Sequence, residues 1–425
     1  MPNALPAAYR IVPPNRPLSG RVSPPGSKSI TNRVLLLAAM AEGTSRLTGA
    51  LKSKDTVLMA RALREMGVTV EEPDATTFLV TSTGRLVAPA APLFLGNAGT
   101  ATRFLTAAVA TIEGTVVVDG DEDMRLRPIR PLVDALVSLG IDAHCPTGCP
   151  PVTIHGTGRF GSGRVEIDAS LSSQYVSALL MAAPFGDGAI EVALTGKDIG
   201  ARGYVDLTLA AMRAFGAQVE DRVDGSWLVQ PTGYKATDFH IEPDASAATY
   251  LWGIEALTGG KIDLGVPTEA FTQPDAAAQA TIAQFPNMPE VIDGSQMQDA
   301  VPTIAVVAAF NNRPVRFVGI ANLRVKETDR IRAVANELNR IRPGLAREEG
   351  DDLIVNADPA LMDVAHRNAT SRIETYHDHR IAMSFALAGL RIGGVTILDP
   401  ACTGKTYPEY WEMLSGLGVE LIPTA

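Results

Sequence analysis

A helix-like amphipathic stretch that ends on a glycine and continues as a short β-rich run recurs along this chain, and the recurrence restricts the folds open to it. It runs from Ala62 through Gly67 to Val70, from Leu136 through Gly140 to Ala143, and from Met212 through Gly216 to Val219. It returns from Met413 through Gly418 to Leu421. A glycine just past a helix can take the left-handed conformation that other residues avoid, so each copy reads as helix, stop, strand. The first three glycines lie about 73 and 76 residues apart, and Gly344 precedes Gly418 by about 74. A weaker copy lies near Phe285 to Val291. Any α/β protein has such junctions, but near-constant spacing favours internal duplication, with about six α/β units of roughly 70 residues.

A chain of 425 residues is too long for one ordinary core, so two domains are expected. Hydrophobic content of 46% with 20% charged residues belongs to a folded globular protein. The longest apolar runs, Val34 to Ala41 and Ile304 to Phe310, fall short of the roughly 18 residues a membrane span needs, and no signal-peptide core is visible. Three cysteines, Cys145, Cys149 and Cys402, argue against a disulfide scaffold and for a reducing cytoplasm. Cys145 and Cys149 have loose metal-like spacing, but no second pair follows. A net charge of −10 disfavours a nucleic-acid binder, so an anionic ligand has to be captured by a local cluster of cations.

Such cations sit in distinctive contexts. Pro24-Pro25-Gly26-Ser27-Lys28-Ser29-Ile30-Thr31-Asn32-Arg33 makes a turn that opens a helix, where free N–H groups favour an anion. It is not a Walker A loop, because Ser27 separates Gly26 from Lys28. Leu95-Gly96-Asn97-Ala98-Gly99-Thr100-Ala101-Thr102-Arg103 is a second glycine-flanked helix start. Arg125, Arg127 and Arg130 surround Pro128 at a third. Ser172-Ser173-Gln174-Tyr175 is a polar start whose first serine capping alone would explain. In Asn322-Leu323-Arg324-Val325-Lys326-Glu327-Thr328-Asp329-Arg330, most charges fit helix salt bridges, but Glu327 in a cationic cleft would be placed for proton transfer. Tyr376-His377-Asp378-His379-Arg380 invites a metal reading, yet no third ligand of suitable spacing follows. Cys402-Thr403-Gly404-Lys405-Thr406-Tyr407-Pro408 places a lysine before the last helix.

These blocks, in this order from about residue 24 to 408, resemble the 5-enolpyruvylshikimate-3-phosphate synthase family. The resemblance implies an α/β fold of two similar domains, each of three βαβαββ repeats, an inside-out α/β barrel with the active site in the interdomain cleft. Residues 1–25 plus 242–425 would form a discontinuous domain and 26–241 the second, with crossings near 20–26 and 238–244. The implied reaction moves the enolpyruvyl group of phosphoenolpyruvate to the 5-hydroxyl of shikimate 3-phosphate, releasing phosphate by addition and elimination. No metal or organic cofactor is implied, no nucleic acid or membrane partner, and a cytoplasmic monomer is expected.

By the same resemblance, Lys28 touches both substrates and aids proton transfer. Asp299 is the base at the 5-hydroxyl, and Glu327 the second acid–base group. Ser29, Arg33, Ser172, Ser173, Asn322 and Lys326 match contacts to shikimate 3-phosphate. Gly99, Arg127, Arg330, Arg380 and Lys405 match contacts to phosphoenolpyruvate, and Gln174 faces both. Gly99 leaves room beside the donor, which implies sensitivity to glyphosate, the family's inhibitor. Two positions depart from the pattern: Ala201 stands where many members have Ser, and Asp123 replaces a basic residue of some members. The alternatives are a UDP-N-acetylglucosamine enolpyruvyl transferase, which typically uses a loop cysteine, and a non-catalytic anion-binding relative.

Overall fold

The computed structural model describes residues 5–170, 172–196, 202–362 and 370–424, and its backbone repeats one module. Residues 93–157 show the module whole. Strand Leu93–Phe94 leads to helix Gly99–Ala108, strand Glu113–Asp119 to helix Arg130–Ser138, and strands Asp142–His144 and Val152–Thr157 follow. The first two strands pair in parallel and the last two add antiparallel, giving the spatial order first, second, fourth, third. Residues 163–229 repeat that order, and so do residues 291–355. The glycines that betrayed the repeat, Gly67, Gly140, Gly216, Gly344 and Gly418, all have φ between 83° and 97°, which an L side chain rarely adopts.

Two modules borrow a strand from far along the chain. Strand Ala41–Thr48 takes its parallel neighbours from Tyr234–Lys235 and Phe239–His240. At the other extreme, Ala8–Val12 lies between Val395–Leu398 and Glu420–Thr424 and is antiparallel to both. The sixth module is reduced. Gly20–Arg21 pairs in parallel with Ile262–Asp263, and no further strand joins them among the described residues. Among the described residues every sheet is open and none closes into a barrel.

The chain divides into two compact units, Met1–Pro25 with Pro243–Ala425, and Gly26–Glu242, each with its own apolar core. In the second unit, helices Lys28–Ala39, Gly99–Ala108 and Ser173–Ala182 are buried almost all round, and Gly99–Ala108 packs against the other two. In the first, helices Ala245–Thr258, Val301–Ala308 and His379–Ala388 pack against one another. Alanine and small hydroxyl residues let these helices approach closely and leave little room for charge except at their ends. Their first turns are therefore where polar chemistry collects. No helix among the described residues is long and apolar enough to cross a membrane.

Candidate active site

In the unit Gly26–Glu242, Ser27 caps the helix that begins at Lys28 by accepting from the Ile30 amide at 3.3 Å. The Lys28 ammonium is 3.6 Å from Asp55 Oδ2, and both side chains are largely buried. Asp55 stands in the first turn of helix Lys54–Glu65, where the helix dipole favours a carboxylate. Its sequence context does not mark it out, because an acidic first turn is ordinary in a surface helix.

Arg33 has a different setting from its neighbours in the motif. Its guanidinium donates to Thr208 Oγ1 at 2.7 Å, Ser29 O at 2.8 Å, Tyr204 O at 3.0 Å and Ser177 Oγ at 3.3 Å, and it stacks 5.0 Å from the Phe104 ring centre. Burial lowers its pKa to about 10, against a small opposing effect of Tyr204. Four of its five N–H groups thus join three helices of the core. Arg33→Ala is therefore expected to lower unit stability by about 3 kcal/mol, since two hydroxyls and two carbonyls lose a charged donor. Calorimetry should show a melting temperature lower by about 6–12 °C; a change below about 2 °C would contradict the core role.

The glycine-flanked turn forms a second cluster. Arg127 Nη1 donates to Asn97 Oδ1 at 2.8 Å, while Arg103 donates to Gly99 O at 3.1 Å and Pro128 O at 3.0 Å. A Cβ on Gly99 would lie 2.6 Å from Arg103 Nη1 and 2.7 Å from Arg127 Nη2, so the missing side chain is what lets two guanidinium groups reach this helix start. The other two arginines of the motif go elsewhere. Arg125 pairs with Asp119, and Arg130 donates to Cys145 O and Pro146 O. Ser172 caps the helix starting at Ser173, and Gln174 Nε2 donates to Thr100 Oγ1 at 3.2 Å. Ala201 lies outside the described residues, and the neighbouring Arg202 guanidinium sits 5.8 Å from the Trp227 ring centre. Asp123 is exposed just before the short helix Met124–Leu126.

The other unit carries a chain of alternating charge. Lys405 Nζ is 3.1 Å from Glu327 Oε1, and Glu327 Oε2 accepts from Arg330 Nη2 at 2.7 Å. Arg330 Nη1 donates to Asp299 Oδ1 at 2.8 Å, and Arg380 Nη2 to Asp299 Oδ2 at 2.9 Å. Beneath them Asp378, fully buried, grips Arg330 through both oxygens at 2.7 and 3.2 Å and also accepts from the Arg380 amide at 2.9 Å. Burial alone would lower the pKa of Arg330, but Asp378, Glu327 and Asp299 outweigh it and hold the guanidinium charged. Arg380 is raised in the same sense by Asp299, Tyr250 and Asp275 against its burial. Tyr376 and His377 both have φ of 54°, a left-handed pair that delivers Asp378 as the cap of helix His379–Ala388. His377 is exposed and meets Asp399 at 2.8 Å whereas His379 is wholly buried, so the two imidazoles of His-x-His do not converge.

Asn322 is buried, and its Oδ1 has no hydrogen-bond partner among the described residues; Lys326 follows it half-buried at the end of the short helix Ala321–Val325. A buried amide oxygen without a donor is costly unless a ligand supplies one. Asp275, fully buried with the Ser246 hydroxyl donating to it, is pushed up to about 7 by burial and by the charge of Asp299, against the pull of Arg380. A carboxyl raised in the folded state favours folding while protonated. Its contribution is full below about pH 4 and is lost as the pH rises through about 7. Asp275→Asn should flatten the fall in stability over that window in denaturation curves; an unchanged slope would show that other groups cause it.

Comparison with known proteins shows the family. The family described as EPSP synthase (3-phosphoshikimate 1-carboxyvinyltransferase) matches residues 12–414. The chain belongs to the EPSP synthase family. A 3-phosphoshikimate 1-carboxyvinyltransferase of Rhizobium leguminosarum bv. trifolii (strain WSM2304) is 68% identical over 97% of this chain and 98% of that protein. One from Pseudomonas syringae pv. syringae (strain B728a) is 67% identical over 98% and 99%. The solved structure of EPSP synthase from Acinetobacter baumannii has a TM-score of 0.77 at 26% identity, covering 98% of this chain and 99% of that one. The enolpyruvyl transferase NikO of Streptomyces tendae shares the fold at a TM-score of 0.74 and 17% identity. Like those relatives, the chain is an enzyme. Burial raises the pKa of both Cys145 and Cys149, which keeps them as thiols.

Proposed function

We propose that this chain transfers the enolpyruvyl group of phosphoenolpyruvate to the 5-hydroxyl of shikimate 3-phosphate and releases phosphate. The observation that carries this reading is the interleaving of Asp299 and Glu327 with Arg330, Arg380 and Lys405. A carboxylate held by two cations is a poor proton acceptor. The donor brings a carboxylate and a phosphate of its own. As those anions take over the three cations, Asp299 and Glu327 are released to accept protons, so donor binding itself prepares the bases.

Asp299 then takes the proton of the 5-hydroxyl as its oxygen forms a bond to C2 of the donor, and C3 gains a proton. The tetrahedral adduct expels phosphate by breaking the bond from C2 to the phosphate oxygen while the new methyl group loses a proton. Glu327, with Lys28, handles the proton at C3 in both directions. Arg127 beside Gly99 joins Arg330, Arg380 and Lys405 on the donor. Ser29, Ser172, Ser173, Asn322 and Lys326 hold the shikimate phosphate and hydroxyls, Gln174 contacts both substrates, and Arg33 contributes its remaining Nη1 hydrogen. The three cysteines are free thiols, which supports a cytoplasmic setting.

A phosphate-release assay with each substrate omitted in turn tests the reaction. Phosphate is expected only when both are present, and release without the acceptor would reject the proposal. Glyphosate is expected to inhibit, with full turnover at high inhibitor as the contrary result. Gly99→Ala would displace the Arg127 guanidinium, so the Michaelis constant for phosphoenolpyruvate should rise about tenfold, the worth of roughly one weakened charge-assisted hydrogen bond. An unchanged constant would remove Arg127 from the donor contacts.

A further inference from the structure

We propose that Asp142, His144 and His155 form a binding site for one divalent transition-metal ion of the zinc class, on the outer face of the sheet that contains them. Strand Asp142–His144 is the edge of that sheet and pairs antiparallel with Val152–Thr157. Asp142 lies opposite His155, and His144 is two residues along from Asp142, so strand alternation puts all three side chains on one face. The opposite face carries Ala143, Val152 and Ile154, which are buried, whereas the three polar residues are exposed.

The donor atoms already converge. One ligand atom from each of Asp142, His144 and His155 lies within 4.8 Å of the others, and His144 Nε2 is 2.6 Å from Asp142 Oδ1. With metal–ligand bonds of about 2.0–2.2 Å, neighbouring donors sit roughly 3–3.5 Å apart, within reach of small rotations of exposed side chains. A second observation comes from the next strand. Thr115 Oγ1 is 2.8 Å from His155 Nδ1, and when the hydroxyl accepts that N–H, Nε2 keeps its lone pair. An imidazole whose second nitrogen is held in this way is the usual form of a metal ligand. Two imidazoles and one carboxylate leave positions for water and suit Zn²⁺, Co²⁺, Ni²⁺ or Cu²⁺ better than Mg²⁺ or Ca²⁺. The site shares no residue with the proposed catalytic set. Its effect would be to tie the edge strand to its neighbour and raise thermal stability by mass action.

Calorimetric titration of the full-length, tag-free protein with ZnCl₂, and absorption spectra with CoCl₂, test this. One ion per chain is expected, with a Zn²⁺-dependent rise in melting temperature. His144→Ala and His155→Ala should each weaken binding by about 100-fold, and Thr115→Val by about tenfold through the lost outer partner. His240→Ala, an exposed histidine hydrogen-bonded to Thr48, should leave binding unchanged. Binding within about threefold of the original in either histidine variant overturns the proposal, as does binding lost in Cys149→Ser but retained in His155→Ala. Absence of one-to-one binding at millimolar zinc also overturns it.

Discussion

Lys28→Ala is expected to lower kcat by about 10³-fold or more while the protein stays folded. The side chain contributes a positive charge and a transferable proton at the first turn of a buried helix, and both are lost together. Buried Asp55 is left without that ammonium, which lowers stability, but it remains in the first turn of its own helix and the protein is expected to fold. Lys28→Arg separates the two contributions. It restores the charge, but a guanidinium does not give up its proton as an ammonium can, so substrate affinity should recover more than turnover. Steady-state kinetics with circular dichroism decides the matter, and near-normal turnover in the alanine variant would end the assignment of Lys28 to proton transfer.

Asp378→Ala should produce the largest combined loss of stability and donor binding. Its carboxylate is the buried base on which Arg330 rests, and it also fixes the amide that starts the Arg380 helix. Removing one partner of a buried pair costs about 3–5 kcal/mol, because the other charge stays buried. For a unit of this size that corresponds to a melting temperature lower by about 6–20 °C. At temperatures where the variant remains folded, the Michaelis constant for phosphoenolpyruvate should rise at least about tenfold as Arg330 loses its aim. Asp378→Asn keeps an acceptor for the Arg380 amide and should fall between. A stable variant with normal donor kinetics would reduce Asp378 to a helix cap.

The repeat was legible because a conformation demanded a residue type. Only glycine passes easily through φ near 85°, so Gly67, Gly140, Gly216, Gly344 and Gly418 mark the helix ends in any reading of the chain. The cationic motifs were legible for a related reason: glycine, serine and lysine or arginine at a helix start describe an anion site in local terms. Partners distant in sequence were not. Nothing near Ala8–Val12 says that its neighbours are Val395–Leu398 and Glu420–Thr424, because strand pattern carries no address. Arg33 and Arg127 both belong to cationic motifs, yet one braces a core and the other faces a glycine. Asp55, Arg103 and Asp378 carry no local signal of their pairing because these partners lie about 25 to 50 residues away, beyond local pattern.

The strand Ala8–Val12 also orders events during synthesis. It is made before residues 26–242, but both of its hydrogen-bonding neighbours are made after them. Residues 26–242 can complete their sheets as they emerge, whereas the strand that precedes them must wait until residues 395–424 have been made, with its backbone donors and acceptors facing water. Its brevity and the arginine at its centre, Arg10, lessen the hazard of pairing with another nascent chain in that interval.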